Sequence, residues 1–181
     1  MAESDDGRAY RGLPGAFPYA FRSSESRLFR SYVGASALVG LLVSFLLGSA
    51  LVVLVANTLG TAGGSLTLSR SFYLLIGILI VAPLVAPVLL VARRHRRGGG
   101  SVRYDRALAA AGFLFVLSLY LGLVASMPET FVLDGEPVTR PAPSGLFAPV
   151  VALLYAIPPA ASPVVPAAAA ALIGLAHRRY R

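Results

Sequence analysis

Cysteine and lysine are both absent from this chain. Without cysteine there is no disulfide, no iron–sulfur cluster and no thiol nucleophile. Without lysine the net charge of +8 rests on arginine alone. With so much alanine, valine, glycine and proline, that choice points to a GC-rich genome and carries no mechanism. Charge of either sign is scarce, at 13% of 181 residues against 56% hydrophobic. No Asp, Glu, Lys, Arg or His falls inside the four longest apolar runs. Ionisable groups at membrane depth mark proton relays, counter-ions and coupled transport, so their absence speaks against those activities.

Enzyme signals are equally thin. His95 and His177 each sit in an arginine run, with no second histidine, cysteine or spaced carboxylate to complete a metal set. A solvated basic loop is the expected surrounding of both. No serine stands in a nucleophile elbow, and "RRGGGSV" lacks the strand and the Lys-Ser/Thr of a phosphate loop. Glu129, Asp134 and Glu136 cluster, but "VLDGEPV" reads as a small hairpin around the turn-favouring pair Asp134-Gly135. No catalytic residue, metal ligand or cofactor is therefore assigned.

What is present is apolar length. A helix needs about 20 apolar residues to cross the hydrocarbon, and four segments supply them: about 32–57, 71–92, 107–127 and 149–176. The first is far longer than the ~7–15-residue core of a signal peptide and follows about thirty residues, so it is expected to be retained. The fold class expected is all-α, a polytopic four-helix transmembrane bundle alternating up and down. Residues 1–31 form a cytoplasmic or interfacial segment and 177–181 a basic tail.

Arginine sets the threading. Arg8, Arg11, Arg22, Arg27 and Arg30 precede the first span. Arg93, Arg94, Arg96, Arg97, Arg103 and Arg106 lie between the second and third, and Arg178, Arg179 and Arg181 follow the fourth. Alternating spans put these fourteen on one side and only Arg70 and Arg140 on the other. Short loops rich in arginine stay cytoplasmic, so both termini are expected there, in a cell-membrane protein. The loop "RRHRRGGGSVRYDR" is read first as the anchor of a helical hairpin, with glycines for the turn. Its best rival use is attraction of anionic lipid head groups; nucleic acid is disfavoured.

In "YRGLPGAFPYAFRSSESRLFRSY", Tyr10, Phe17, Tyr19, Phe21, Phe29 and Tyr32 alternate with arginines, as in an interfacial hook. A docking peptide is the sharper reading. Pro14 and Pro18 argue against one regular helix, and a capped helix start is expected near Ser23 or Ser24. The preceding "ESDDG" reads as disordered.

Ser36, Gly40, Ser44 and Gly48 recur every four residues, and Ser118, Gly122 and Ser126 offer a partner stripe in the third span. Four residues advance a helix by about 400°, so each set forms one drifting groove where backbones can approach closely. Packing within the chain is the first use of these stripes; a homo-oligomer or membrane-protein partner is the other. Pro83 and Pro87 in the second span, and Pro158, Pro159, Pro163 and Pro166 in the fourth, are expected helix breaks, because each lacks an N–H and frees the carbonyl four residues earlier.

Small drug-efflux proteins resemble the chain in span number only; the acidic residue of their first span has no counterpart here. With "RGLPGAFPYAFRSSESRLFRSY" running straight into a span, the chain resembles uncharacterised four-span membrane proteins of halophilic archaea. That family brings no activity. It implies molar cytoplasmic salt and a Debye length of about 3 Å, which weakens purely electrostatic binding. The leading function expected is a non-enzymatic interaction or accessory subunit; the alternative is a passive channel or transporter using the proline-broken spans. An enzyme ranks third.

Overall fold

The computed structural model describes residues 12–58 and 64–181, with the backbone alone for 64–67. Arg8, Arg11, Tyr10 and the "ESDDG" stretch lie outside the described residues. Among the described residues six α-helices run in the order α1 (Gly12–Ser23), α2 (Arg27–Asn57), α3 (Gly64–Arg96), α4 (Val102–Ala125), α5 (Ala148–Tyr155) and α6 (Val164–Tyr180). A β-hairpin, β1 (Thr130–Leu133) and β2 (Glu136–Thr139), separates α4 from α5. The protein is therefore helical with one small antiparallel ribbon, and Leu133 pairs with Glu136 across the two-residue turn. Asp134 and Gly135 both take positive φ, 53° and 89°, the left-handed pair that matches the twist of the flanking strands.

Four helical stretches are long and apolar enough to cross a membrane: Arg27–Asn57, Leu68–Arg96, Val102–Ala125 and Pro159–Tyr180. All begin or end outside the apolar runs, because a helix continues until its backbone is capped, whatever its side chains. Ser26 caps α2, accepting from Phe29 N at 3.3 Å, two to three residues past the Ser23 or Ser24 start read from the sequence. Upstream, α1 forms despite Pro14 and Pro18. Pro14 falls in the first turn, where an N–H has no intrahelical acceptor, so only Pro18 costs a bond. Ala16 and Ala20 of α1 are fully buried.

The prolines divide into two groups. Pro83 and Pro87 do not break α3, which passes through both; neighbouring helices stabilise proline-bearing helices in membranes. One neighbour contact is on α3 itself, where Tyr32 Oη donates to the Leu84 carbonyl at 2.6 Å. The segment read as a fourth span is two pieces. Helix α5 stops at Tyr155, Pro158 is extended (φ −53°, ψ 136°), and a 3₁₀ turn covers Pro159–Ala161. Pro163 caps α6 and Pro166 sits in its first turn, so these two start a helix rather than break one.

Helix α4 is the hub, packed against α2, α3, α5 and α6. Its tightest point is Gly112, against which the Tyr32 ring lies so closely that a Cβ would sit 2.6 Å from the hydroxyl oxygen. The core, including Phe29, Tyr32, Leu84, Val88, Tyr104 and Leu108, gathers toward the arginine-rich end. Away from it Leu41 and Phe45 of α2 and Leu74 and Ile78 of α3 are all exposed.

Candidate functional site

The polar groups converge where α1, α2, α3, α4 and α6 meet. Ser24, in the α1–α2 joint, donates through Oγ to Asp105 Oδ2 at 2.5 Å. Its Oγ also accepts from Ser26 N at 3.2 Å, and its carbonyl accepts from Arg30 Nε at 2.9 Å. His95, in the last turn of α3, brings Nε2 within 2.9 Å of the same Asp105 oxygen, the ring donating to the carboxylate. Asp105 is fully buried, and its Oδ1 has no partner among the described residues.

Local sequence explains this gathering. Gly98 takes φ 73°, a left-handed conformation that closes α3, with Gly98 N and Gly99 N donating back to the His95 and Arg94 carbonyls. Ser101 then caps α4, accepting from Tyr104 N at 3.4 Å. Gly100 has no side chain because the His95 ring occupies that space, with Cγ 3.0 Å from where a Cβ would stand.

Beside this cluster lies a cavity of 350 Å³ lined by Leu90, Arg93, Arg94, Arg97, Gly99, His177 and Arg181. Arg94 is held on three sides. It donates to the Gly99 carbonyl and, at 2.7 Å, to the Tyr180 carbonyl, and its guanidinium stacks 4.2 Å above the Tyr104 ring. Tyr104 Oη in turn lies 2.7 Å from His177 Nδ1. Of the loop arginines, the structure brings Arg93, Arg94 and Arg97 to the cavity; Arg96, Arg103 and Arg106 do not line it.

Two sequence readings need correction. His95 and His177 are not solvated loop residues: one is bonded to a buried aspartate, the other to a tyrosine hydroxyl. And an acid does lie within a candidate span, because α4 begins five residues before the apolar run and carries Asp105 inward. Asp105 was not singled out by sequence pattern, and Ser24 only as a helix cap. The available signal was Ser101, a capping residue whose helix would include Asp105 in its first turn.

The small-residue stripe of α2 splits. Ser36 is buried and Gly40 meets Leu84, whereas Ser44 and Gly48 are exposed along a cavity of 480 Å³ between α2 and α3. In α4, Ser118 is buried, and Gly122 packs on Pro166 of α6 rather than on α2, with a would-be Cβ 3.1 Å from the ring. Ser126 borders a third cavity, of 560 Å³, with Pro83, Pro163 and Pro166.

Four membrane-length helices tied at one end by buried polar bonds define a small helical membrane protein. Over residues 1–181 the chain matches the family described as a domain of unknown function (DUF8056), and it belongs to that family. No curated protein and no solved structure matches it.

Proposed function

We propose that the protein is a non-enzymatic interaction or accessory subunit of the cell membrane, which docks a second membrane-spanning chain against its α2–α3 hairpin. One observation carries this reading. None of the most apolar stretch of α2 is buried within the protein, against 39% of the corresponding stretch of α4. In lipid, leucine gains little by leaving the acyl chains, so helix association depends on close backbone approach. The groove beside Ser44, Gly48 and Gly77 offers such an approach, with no Cβ contact within 4 Å at Gly48. Resemblance to halophilic membrane proteins supports the same picture, since packing survives high salt better than exposed charge pairs do.

Both termini are assigned to the cytoplasm on the fourteen-to-two division of arginine. Cysteines introduced at Ser101 and Gly135 should react with an impermeant reagent from opposite sides of the membrane; labelling of both from outside overturns the threading. The channel reading lacks a wet path: neither the 480 Å³ nor the 560 Å³ cavity is lined by a charged side chain among the described residues.

Mild-detergent purification from the native membrane tests the proposal. A stoichiometric membrane partner is expected, and Gly48→Leu with Ser44→Leu should release it while leaving the protein folded. A partner retained by that variant refutes the docking face. A homo-oligomer that conducts solute in liposomes refutes the accessory role.

A further inference from the structure

We infer that the cavity between the ends of α3 and α6 is a binding site for a phosphate-bearing anion, a lipid head group or a free phosphate ester. The inference rests on this cavity and is independent of the docking face. Threading alone asks only for positive charge near the ends of spans. It does not ask for arginines from two distant parts of the chain to enclose one space, as Arg93, Arg94 and Arg97 do with Arg181.

Three features make the space a receptor for an anion. The first is unbalanced charge. The side chains of Arg93, Arg97 and Arg181 have no hydrogen-bond or carboxylate partner among the described residues, and the nearby Asp105 engages Ser24 and His95 through Oδ2. The far-end arginines are used differently: Arg70 donates to Thr58, and Arg140 to Met127 while stacking on Tyr155.

The second feature is preorganisation. Arg94 cannot swing away, because the Gly99 and Tyr180 carbonyls and the Tyr104 ring hold it in place. The His177 ring is likewise held at the cavity wall, its Nδ1 2.7 Å from Tyr104 Oη. The third is shape. At 350 Å³ the cavity lies within the ~300–1,000 Å³ range of ligand sites. Guanidinium forks match phosphate oxygens two at a time, which an ammonium does not. Leu90 completes the lining, so a head group seated here lies at the edge of the apolar stretches of α3 and α6.

The test uses the full chain in neutral detergent at fixed ionic strength. Equilibrium dialysis follows inorganic phosphate, and native mass spectrometry follows dioleoyl phosphatidic acid against phosphatidylcholine. Retention of phosphatidic acid alone identifies a lipid head group; retention of inorganic phosphate as well identifies the phosphate group itself as sufficient. Arg93→Gln with Arg97→Gln should weaken binding by about tenfold or more without lowering thermal stability; Arg97→Gln alone serves if the pair folds poorly. Arg103→Gln with Arg106→Gln removes equal charge outside the cavity and should leave binding unchanged. The inference fails if neither probe binds better than phosphatidylcholine, or if the two double variants weaken binding equally.

Discussion

Adding one methyl group at Gly112 tests the packing at the hub of the bundle. A Cβ there would stand 2.6 Å from the Tyr32 hydroxyl oxygen and closer still to two ring carbons. The ring has nowhere to go. It is fully buried, its hydroxyl is committed to the Leu84 carbonyl at 2.6 Å, and Phe113 meets it edge-on at 5.2 Å. Gly112→Ala must therefore part α2 from α4 or swing the ring and break its hydrogen bond. Overpacking costs ~1–3 kcal/mol and a lost buried hydrogen bond ~1–3 kcal/mol, while alanine's helix preference returns ~1 kcal/mol. At the midpoints a net destabilisation of about 1 kcal/mol follows by either route, and about 3 kcal/mol if both costs are incurred. It is measured by reversible unfolding in mixed micelles on titration with a denaturing detergent. On a Tyr32→Leu background the same methyl should cost nothing or stabilise by up to ~1 kcal/mol, since only the helix preference remains. An equal penalty in both backgrounds, or none with Tyr32 intact, refutes the argument.

Asp105→Ala should cost about 3 kcal/mol, because it leaves the Ser24 hydroxyl and the His95 ring with unmade bonds in a mostly buried site; Asp105→Asn should cost less, since its carboxamide oxygen still accepts from Ser24. Denaturation of both variants in the same micelles checks the order, and equal losses contradict it. Leu42, 54% exposed on the outer face of α2, should tolerate isoleucine with a change below ~0.5 kcal/mol. Gly135→Val should disorder the hairpin without altering the helix content, because valine resists the φ of 89° held there; amide exchange across residues 130–139 reads this directly.

Apolar runs were enough to find four membrane-length helices, since each run exceeds what any other element needs. Their ends were not legible from apolarity. Val102 to Arg106 is polar on most of its surface yet helical, because Ser101 caps the backbone ahead of it. That misplacement hid the buried carboxylate and with it the whole Ser24–Asp105–His95 cluster, whose members meet only through tertiary structure. Four-residue spacing identified faces able to pack closely but not their neighbours, so Gly122 pointed to α2 in the sequence and met Pro166 of α6 in the fold. Proline tells the same story. Its effect depends on position along the helix: at Pro163 and Pro166 the missing N–H falls where no carbonyl awaits it. The Asp134-Gly135 turn was legible, because its backbone demand is local.

The bond from Ser24 to Asp105 spans 81 residues of chain, and synthesis is vectorial. At ~5–20 residues per second, Ser24 waits roughly 4–16 s after its own addition before its acceptor exists. During that interval α1 is complete while α2 and then α3 are added, so the joint between α1 and α2 has no latch while the first helical hairpin is made. The arrival of Asp105 supplies the latch for both earlier segments at once, Ser24 on one side and His95 on the other. Chains truncated just before Asp105 should therefore leave the α1–α2 joint open to protease, and chains carried through α4 should close it.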